Sequence, residues 1–266
     1  MIAKLIMVKL SNNYNVPMPD ISVIVPTYKE CKNLEALTNR LFKSLQNPKN
    51  CELIIVDDNS CDGSEELVKK LSSSFNVRII VRKDERGLSS AVLKGFDEAK
   101  GEYLVCMDAD LQHPPESVQS LVDLLDENEF AIGTRYASEN SIDKNWSLYR
   151  KIISSGARLL ARPLSPLSDP MTGFFAIRKN VYRKATEVDS IGFKICLELF
   201  VKCKVTRSSQ VPIVFGVRTE GESKLSSKII LSYLKHLLKL YYYVYPQLFQ
   251  IAVVIVVVLT FLVLGQ

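Results

Sequence analysis

Two carboxylates one residue apart stand where an apolar run ends. Tyr103-Leu104-Val105-Cys106-Met107 leads into Asp108-Ala109-Asp110-Leu111-Gln112-His113, and Pro114-Pro115-Glu116 follows. The run reads as a buried strand and the prolines as a helix start. Carboxylates at the carboxyl end of a parallel strand, where α/β proteins collect ligands, suit a hard divalent cation that keeps its other positions for water and substrate phosphates. Gln112 adds a neutral oxygen nearby. An isolated Asp-x-Asp is equally at home as a solvated strand end, so the surrounding elements must decide.

Those elements alternate. Ile21 to Val25 is a β-rich run ending in Pro26-Thr27-Tyr28-Lys29-Glu30, after which Leu34, Leu37, Leu41 and Leu45 recur at helical spacing. Leu53 to Val56 and the loop Asp57-Asp58-Asn59-Ser60 repeat the scheme. The helix after them is predicted to be capped by Asp62, with Glu65 three positions on, close to a capping box. Val77 to Val81 predicts a third strand, followed by Arg86-Gly87-Leu88-Ser89-Ser90 and a helix to about Ala99. With Tyr103 to Met107 as the fourth strand, the first 127 residues predict a mostly parallel, right-handed α/β sheet.

Phe130 to Thr134 predicts a fifth strand, delivering Arg135 and Tyr136 to its end. From Trp146 to Arg162, Leu148, Ile152, Ile153, Leu159 and Leu160 share a helical face opposite Arg150, Lys151, Ser154, Arg158 and Arg162. That pattern fits a helix lying on an anionic bilayer and fits an ordinary surface helix equally well. Asp169 to Phe175 reads as a turn entering a strand, with Phe174 and Phe175 on opposite faces. Gln210 to Val217 predicts a late strand. The loop from Arg218 through Gly221 to Lys224 suits closure over phosphates or a solvated charge run.

At 266 residues the chain holds one α/β domain and an appendage. Its net charge of +5 does not call for a nucleic-acid partner. The six cysteines show no CxxC pair or regular spacing, which argues against zinc and against a disulfide framework and predicts buried, reduced thiols. The first ten residues lack the features of a signal peptide, so the catalytic part is expected to face a reducing cytosol.

The apolar excess lies at the carboxyl end. Ile229, Ile230, Tyr233, Leu234, Leu237 and Leu238 predict one face of an amphipathic helix that carries Lys228, Ser232, Lys235 and Lys239 on the other. Leu248 to Leu264 is then apolar except for Gln250 and Thr260, 17 residues against the roughly 20 that a bilayer span needs. Lysines before it, tyrosines from Tyr241 to Tyr245 and no charge after it predict a single-pass anchor with the large domain cytosolic.

Several of these strings carry a resemblance. Val25-Pro26-Thr27-Tyr28-Lys29-Glu30, Ile55-Val56-Asp57-Asp58-Asn59-Ser60, Met107 to Glu116, and Gly221-Glu222-Ser223-Lys224-Leu225 resemble, in matching order, the dolichyl-phosphate mannose synthases, family 2 glycosyltransferases of the GT-A fold. Lys29, where that family usually has Asn, and Met171-Thr172-Gly173, where Leu-Ser-Gly is common, are small departures. The resemblance implies a GT-A domain over 21–225 after an extension at 1–20, an interfacial helix at 226–245 and an anchor at 246–266. It implies transfer of mannose from GDP-mannose to a dolichyl or polyprenyl phosphate with inversion, assisted by Mg²⁺ or Mn²⁺. Pro26, Tyr28, Glu30, Val56 and Asp58 would line the nucleotide site. Asp108, Ala109, Asp110 and Gln112 would hold metal and diphosphate, with Asp108, Asp110 and Gln112 as the ligands. Arg135, Arg218 and Lys224 would contact phosphates and join Asp110 in catalysis, and Arg135, Arg150 and Ser154 would meet the acceptor phosphate. The location implied is the endoplasmic reticulum membrane in a eukaryote or the plasma membrane in a prokaryote, with room for a stabilising membrane subunit.

The chemistry agrees with that implication. A phosphate monoester, with its second pKa near ~6, is already a nucleophile at pH 7 and needs no strong base. His113 is therefore expected to be a structural neighbour of the acidic loop. A UDP-glucose-dependent glucosyltransferase and a catalytically silent nucleotide-sugar-binding subunit are the competing readings. The intact set Asp108, Asp110, Arg135, Arg218 and Lys224 speaks against the silent one.

Overall fold

A computed structural model describes residues 19–136, 148–186, 188–189, 194–216, 227–247 and 250, with side chains omitted at 148–152 and 227–229. Strands β1 (Ile21–Thr27), β2 (Cys51–Asp57), β3 (Val77–Val81), β4 (Tyr103–Cys106), β5 (Phe130–Thr134), β6 (Phe175–Arg178) and β7 (Ser208–Pro212) form one sheet in the order β3-β2-β1-β4-β6-β5-β7. Among these strands only β6 is reversed, pairing antiparallel with both β4 and β5. β1 pairs in parallel with β2 on one side and β4 on the other, so the strand order turns round at β1, and the carboxyl ends there form the crevice where such folds take ligands.

The two faces of the sheet separate by alternation. Ile24, Ile54, Val56, Leu104, Cys106, Phe130, Phe175 and Ile177 share one buried cluster with α3 (Leu88–Glu98), α6 (Ile195–Lys202) and α7 (Ser227–Val244). Val23, Val25, Leu53, Ile55, Val105, Phe174 and Ala176 share the other with α1 (Cys31–Ser44), α2 (Ser64–Leu71) and α4 (Val118–Leu124). Phe174 and Phe175 thus face opposite ways, as their adjacency on an extended chain requires. Gly95 lets α3 lie directly on β1: a Cβ there would stand 2.4 Å from Ile24 Cγ2.

Four expectations need correction. Asp62 is not the cap residue of α2; Gly63, in the left-handed region, precedes that helix. The Asp62 carboxylate instead accepts the Ser64 N–H at 3.2 Å and reaches across to the Cys31 N–H, also at 3.2 Å, binding the starts of two helices together. The late strand is Ser208–Pro212 rather than Gln210 to Val217, because its register against β5 ends at Thr134–Pro212. Among the thiols, Cys51, Cys106, Cys196 and Cys203 are buried, but Cys61 is exposed. The interfacial segment is helical, but its two sides are not divided as the leucine pattern suggests.

Helix α5 (Leu148–Ala161) turns Ser154, Ala157, Arg158 and Ala161 towards the protein and leaves Leu159 and Leu160 exposed. On α7, Tyr233, His236, Leu237 and Leu240 are buried while Leu231, Leu234, Leu238 and Tyr242 are exposed. The two helices are joined by tyrosines: Tyr233, Tyr241 and Tyr245 donate to the carbonyls of Ala157, Leu160 and Pro163 at 2.7, 2.8 and 2.9 Å. His236 Nε2 on α7 lies 3.0 Å from Glu198 Oε2 on α6, both buried and neither in hydrogen-bonding geometry. The predicted anchor, 248–264, lies almost wholly outside the described residues. Among those that are described, no helix is long and apolar enough to cross a membrane.

Glu129 joins the starts of β5 and β7. Its Oε2 accepts the Thr206 N–H and Oγ1–H, both at 2.8 Å, and the Arg207 N–H at 3.3 Å. The Thr206 backbone is the largest of the influences that bring this carboxyl down to about 2, against the opposing effect of burial. A carboxyl depressed in the fold contributes its full stability above the unfolded value near ~4.3, and loses it as pH falls through about 2. Glu129→Gln is expected to cost about 1–3 kcal/mol at pH 7. Urea titrations at pH 7 and at successively lower pH should show the gap to wild type closing on acidification; a gap independent of pH would refute the assignment.

Candidate active site

Loops from the carboxyl ends of β1, β2 and β4 converge at the point where strand order reverses. Each has a non-glycine residue in the left-handed region: Lys29 at φ 61°, Asn59 at φ 56° and Leu111 at φ 60°. Such backbone costs on the order of 1 kcal/mol or more per residue and collects at working sites. The first two loops are bonded together, the Lys29 N–H donating to Ser60 Oγ at 2.8 Å and Asp57 Oδ2 accepting the Ser60 N–H at 2.7 Å.

The residues proposed to line a nucleotide differ in availability. Tyr28 is exposed, with the Arg86 guanidinium 5.2 Å and the Lys29 ammonium 5.5 Å from its ring centre. Pro26 and Glu30 are partly buried, and Glu30 accepts the Asn33 side-chain N–H at 2.7 Å. Val56 is fully buried under Gly95, which leaves its side chain no surface for a ligand. Asp58 is occupied by protein: Arg82 donates to its Oδ1 from Nε at 2.8 Å and from Nη2, and the Gly87 N–H donates to its Oδ2 at 2.8 Å. Asp58 therefore shapes the 82–87 loop that carries Arg86 to Tyr28.

At the β4 loop, Asp110 is buried and accepts the Gln112 N–H at 3.1 Å, while Asp108 keeps about a third of its side chain exposed. Asp108 is placed by two neighbours. A Cβ on Gly173 would stand 2.7 Å from Asp108 Oδ1, so a side chain there would push the carboxylate out of its present position. His113 Nδ1 accepts the Asp108 N–H at 3.3 Å, its ring stacked on Phe174 at 5.4 Å and edge-on to Phe215. Burial lowers the His113 pKa although Asp108 and Asp110 pull the other way, so the ring is neutral at pH 7 and acts as a brace, as expected. Gln112 Nε2 donates to the Gly216 carbonyl at 3.1 Å, leaving Oε1 for another partner, and the Gly216 N–H returns a bond to the Gln112 carbonyl at 2.9 Å. Two carboxylates and an amide oxygen fit Mg²⁺ or Mn²⁺. Among the described residues no group of three or more His, Cys, Asp or Glu is placed to hold a metal ion.

Beyond β5, Arg135 grips Asp169 with Nε at 2.7 Å and Nη2 at 2.9 Å, and lies 5.0 Å from the Phe215 ring centre. Burial opposes its charge, but the fully buried Asp169 carboxylate outweighs that and raises its pKa. Ser154 on α5 shares a 2.7 Å hydrogen bond with the Tyr136 hydroxyl, and Arg158 covers the Tyr136 ring at 4.0 Å. Lys194, the residue before α6, interacts electrostatically with Arg135, Asp169 and Asp108; burial, then Arg135, lowers its pKa. The Arg150 side chain, Arg218 and Lys224 lie outside what is described.

A model of the family described as Glycosyl transferase family 2 matches residues 22–186, which span all the loops above except the approach to Gly216 and Lys194. The chain belongs to glycosyl transferase family 2. This glycosyltransferase is 55% identical over 232 residues to the dolichol-phosphate mannosyltransferase of Saccharomyces cerevisiae, covering 84% of the chain and 87% of that relative. Identity to the enzyme of the same name from Mycosarcoma maydis is 50% over 254 residues, 91% of the chain and 86% of the relative. For that from Pyrococcus furiosus it is 45% over 225 residues, 83% and 63%. The expected likeness to that group of synthases is borne out. In fold, the glucosyl-3-phosphoglycerate synthase of Mycobacterium tuberculosis superposes with a TM-score of 0.62 at 19% identity, over 90% of this chain and 84% of that one.

Sequence reasoning missed Asp169, Lys194, Gly173 and Phe215 as site residues. Asp169 sat in a stretch read as a turn and Gly173 in a string noted only for its resemblance, and nothing local marks a glycine that lies against a carboxylate 65 positions earlier. Gly173→Ala is expected to reduce sugar transfer by about as much as Asp108→Asn, because both disturb the same ligand, while the circular dichroism spectrum and unfolding temperature stay near wild type. Full activity of Gly173→Ala would show that Asp108 tolerates displacement.

Proposed function

We propose that this glycosyltransferase moves mannose from GDP-mannose to dolichyl or another polyprenyl phosphate at the cytosolic face of a membrane. The observation that carries the reading is 55% identity, across most of both chains, to a dolichol-phosphate mannosyltransferase. Tyr28, Arg86 and Glu30 offer the nucleotide side, and the Asp108–Asp110–Gln112 loop offers the diphosphate side. Mg²⁺ or Mn²⁺, when bound there, supplies positive charge for the departing diphosphate. An oxygen of the acceptor phosphate forms the new bond to the anomeric carbon as the bond to the GDP β-phosphate breaks, and GDP leaves with the electron pair. No proton has to move, which accords with a neutral, buried His113 beside the acidic loop. Attack from the side opposite the leaving group inverts the anomeric centre. Arg218 and Lys224 are the proposed phosphate contacts on the chain that follows Gly216.

Attachment to lipid is supported by Leu159, Leu160, Leu231, Leu234, Leu238 and Tyr242, apolar side chains left exposed on two helices tied to each other. The lysines Lys235 and Lys239 beside them suit anionic headgroups.

Labelled GDP-mannose with dolichyl phosphate and Mg²⁺ or Mn²⁺ should yield labelled lipid, UDP-glucose should yield none, and Asp110→Asn should abolish transfer. Preference for UDP-glucose would replace the mannosyl reading, and an active Asp110→Asn would remove the metal from it. In a chain ended after Tyr245, replacing Leu159 and Leu238 with Asp should weaken sedimentation with anionic vesicles by about tenfold or more, since each buried leucine contributes about 1.5–3 kcal/mol. Unchanged sedimentation would mean that this face does not meet the bilayer.

A further inference from the structure

We propose that Arg86 selects the donor's nucleobase, its guanidinium donating to O6 and N7 of a guanine that stacks against Tyr28. The inference rests on the GDP-mannose reading above and deepens its donor side. With the diphosphate at the acidic loop after β4, the fold decides where the base lies. On one side of that loop Gly173 lies against Asp108 and Arg135 is closed on Asp169, so the nucleoside extends the other way, over β1 towards β2 and β3. The ends of β2 and β3 stand two and three strands from β4, at about 4.8 Å each, a distance that an extended nucleoside diphosphate covers. Among the described residues the exposed large apolar side chain on those loops is Tyr28; the others lie on α5, on α7 and at Val214.

Arg86 is held at that ring from the loop after β3. Its guanidinium carbon stands 5.2 Å from the Tyr28 ring centre, further out than the 4.0 Å at which Arg158 covers Tyr136. Tyr28 remains 41% exposed, so its ring keeps room for a second flat group. Both partners hang on one residue. The Asp58 N–H donates at 3.0 Å to the carbonyl of Thr27, directly before Tyr28, and the Asp58 carboxylate accepts at 2.8 Å the N–H of Gly87, directly after Arg86. Arg82 closes the same loop, donating from Nη1 to Ser90 Oγ at 2.8 Å and from Nη2 to the Gly87 carbonyl at 2.9 Å. Gly87 has φ 143°, a conformation that favours glycine. The backbone on either side of Arg86 is therefore set before a ligand arrives, and the exposed side chain is the part left to meet one. Stacking alone does not tell bases apart, because every base has a π face. A guanidinium fork does: guanine sets two acceptors, O6 and N7, side by side on one edge. Adenine has an amino group at the first place and uracil no ring nitrogen at the second, so each offers the fork one acceptor at most. Tyr28 thus supplies affinity and Arg86 the choice of base.

Calorimetric titration with Mn²⁺ present, of GDP, of 7-deaza-GDP, which lacks N7, and of UDP, into wild type, Arg86→Met and Arg86→Lys tests this without any transfer assay. Wild type should bind GDP about tenfold or more tighter than 7-deaza-GDP. Arg86→Met should weaken GDP by about tenfold or more and bind GDP and 7-deaza-GDP equally, while its UDP affinity stays within about twofold of wild type and shows the site intact. Arg86→Lys keeps the charge but not the fork, so it should not restore the preference for GDP over 7-deaza-GDP. A wild type indifferent to N7, or an Arg86→Met variant that still prefers GDP to 7-deaza-GDP as wild type does, overturns the assignment. UDP weakened as much as GDP, or full recovery by Arg86→Lys, overturns it as well and makes Arg86 a phosphate contact. A wild type that binds UDP more tightly than GDP sinks the GDP-mannose reading itself, which is distinct from a wild type that prefers GDP and keeps that preference without Arg86.

Discussion

Asp108 can stand at the tip of β4 because residue 173 has no side chain. The carboxylate occupies the volume that a Cβ would fill, and Gly173 is brought there by β6, the reversed strand, which enters the sheet between β4 and β5. Running β6 backwards places its leading turn, Asp169 to Phe174, at the same end of the sheet as the carboxyl ends of its parallel neighbours. One turn thus supplies the vacancy for Asp108, the Phe174 ring under His113 and the counter-charge for Arg135.

The cleft divides its charges into fixed and available. Asp58 with Arg82, and Asp169 with Arg135, are neutralised by protein partners and hold loops in shape. Asp108, about a third exposed, is left without an arginine or lysine partner among the ion pairs described above. The left-handed residues Lys29, Asn59 and Leu111 show that the loops between them are held in backbone conformations they would not choose alone, with the buried sheet below supplying the rigidity.

Much of this frame was legible because it rests on local pattern. The first five strands follow from short β-rich runs, and alternation predicted the opposite placements of Phe174 and Phe175. The acidic loop was legible as a candidate cation site because two acids directly after a buried strand, at the end where ligands collect, repel each other unless water or a cation stands between them. For α5 the spacing left two orientations open, leucines towards a bilayer or towards the core; Tyr136, Tyr233 and Tyr241 take hold of the side bearing Ser154, Arg158 and the backbone carbonyls, and Leu159 and Leu160 are left exposed. Val56 was carried over as a ligand contact from motif position alone, and with its side chain buried under α3 only its backbone is left to offer one. Lys194 and Asp169 were invisible for a different reason: their significance lies in what they approach, and those partners come from distant parts of the chain.

The bonds between Gln112 and Gly216 connect residues 104 positions apart. Closing so long a segment is entropically expensive, and contacts of that separation form late in folding. The acidic loop is made early in synthesis, yet its amide cannot be oriented until β7 has docked on β5 and delivered Gly216. A chain lacking Gly216 would carry both carboxylates and still lack the bond that orients the Gln112 amide beside them.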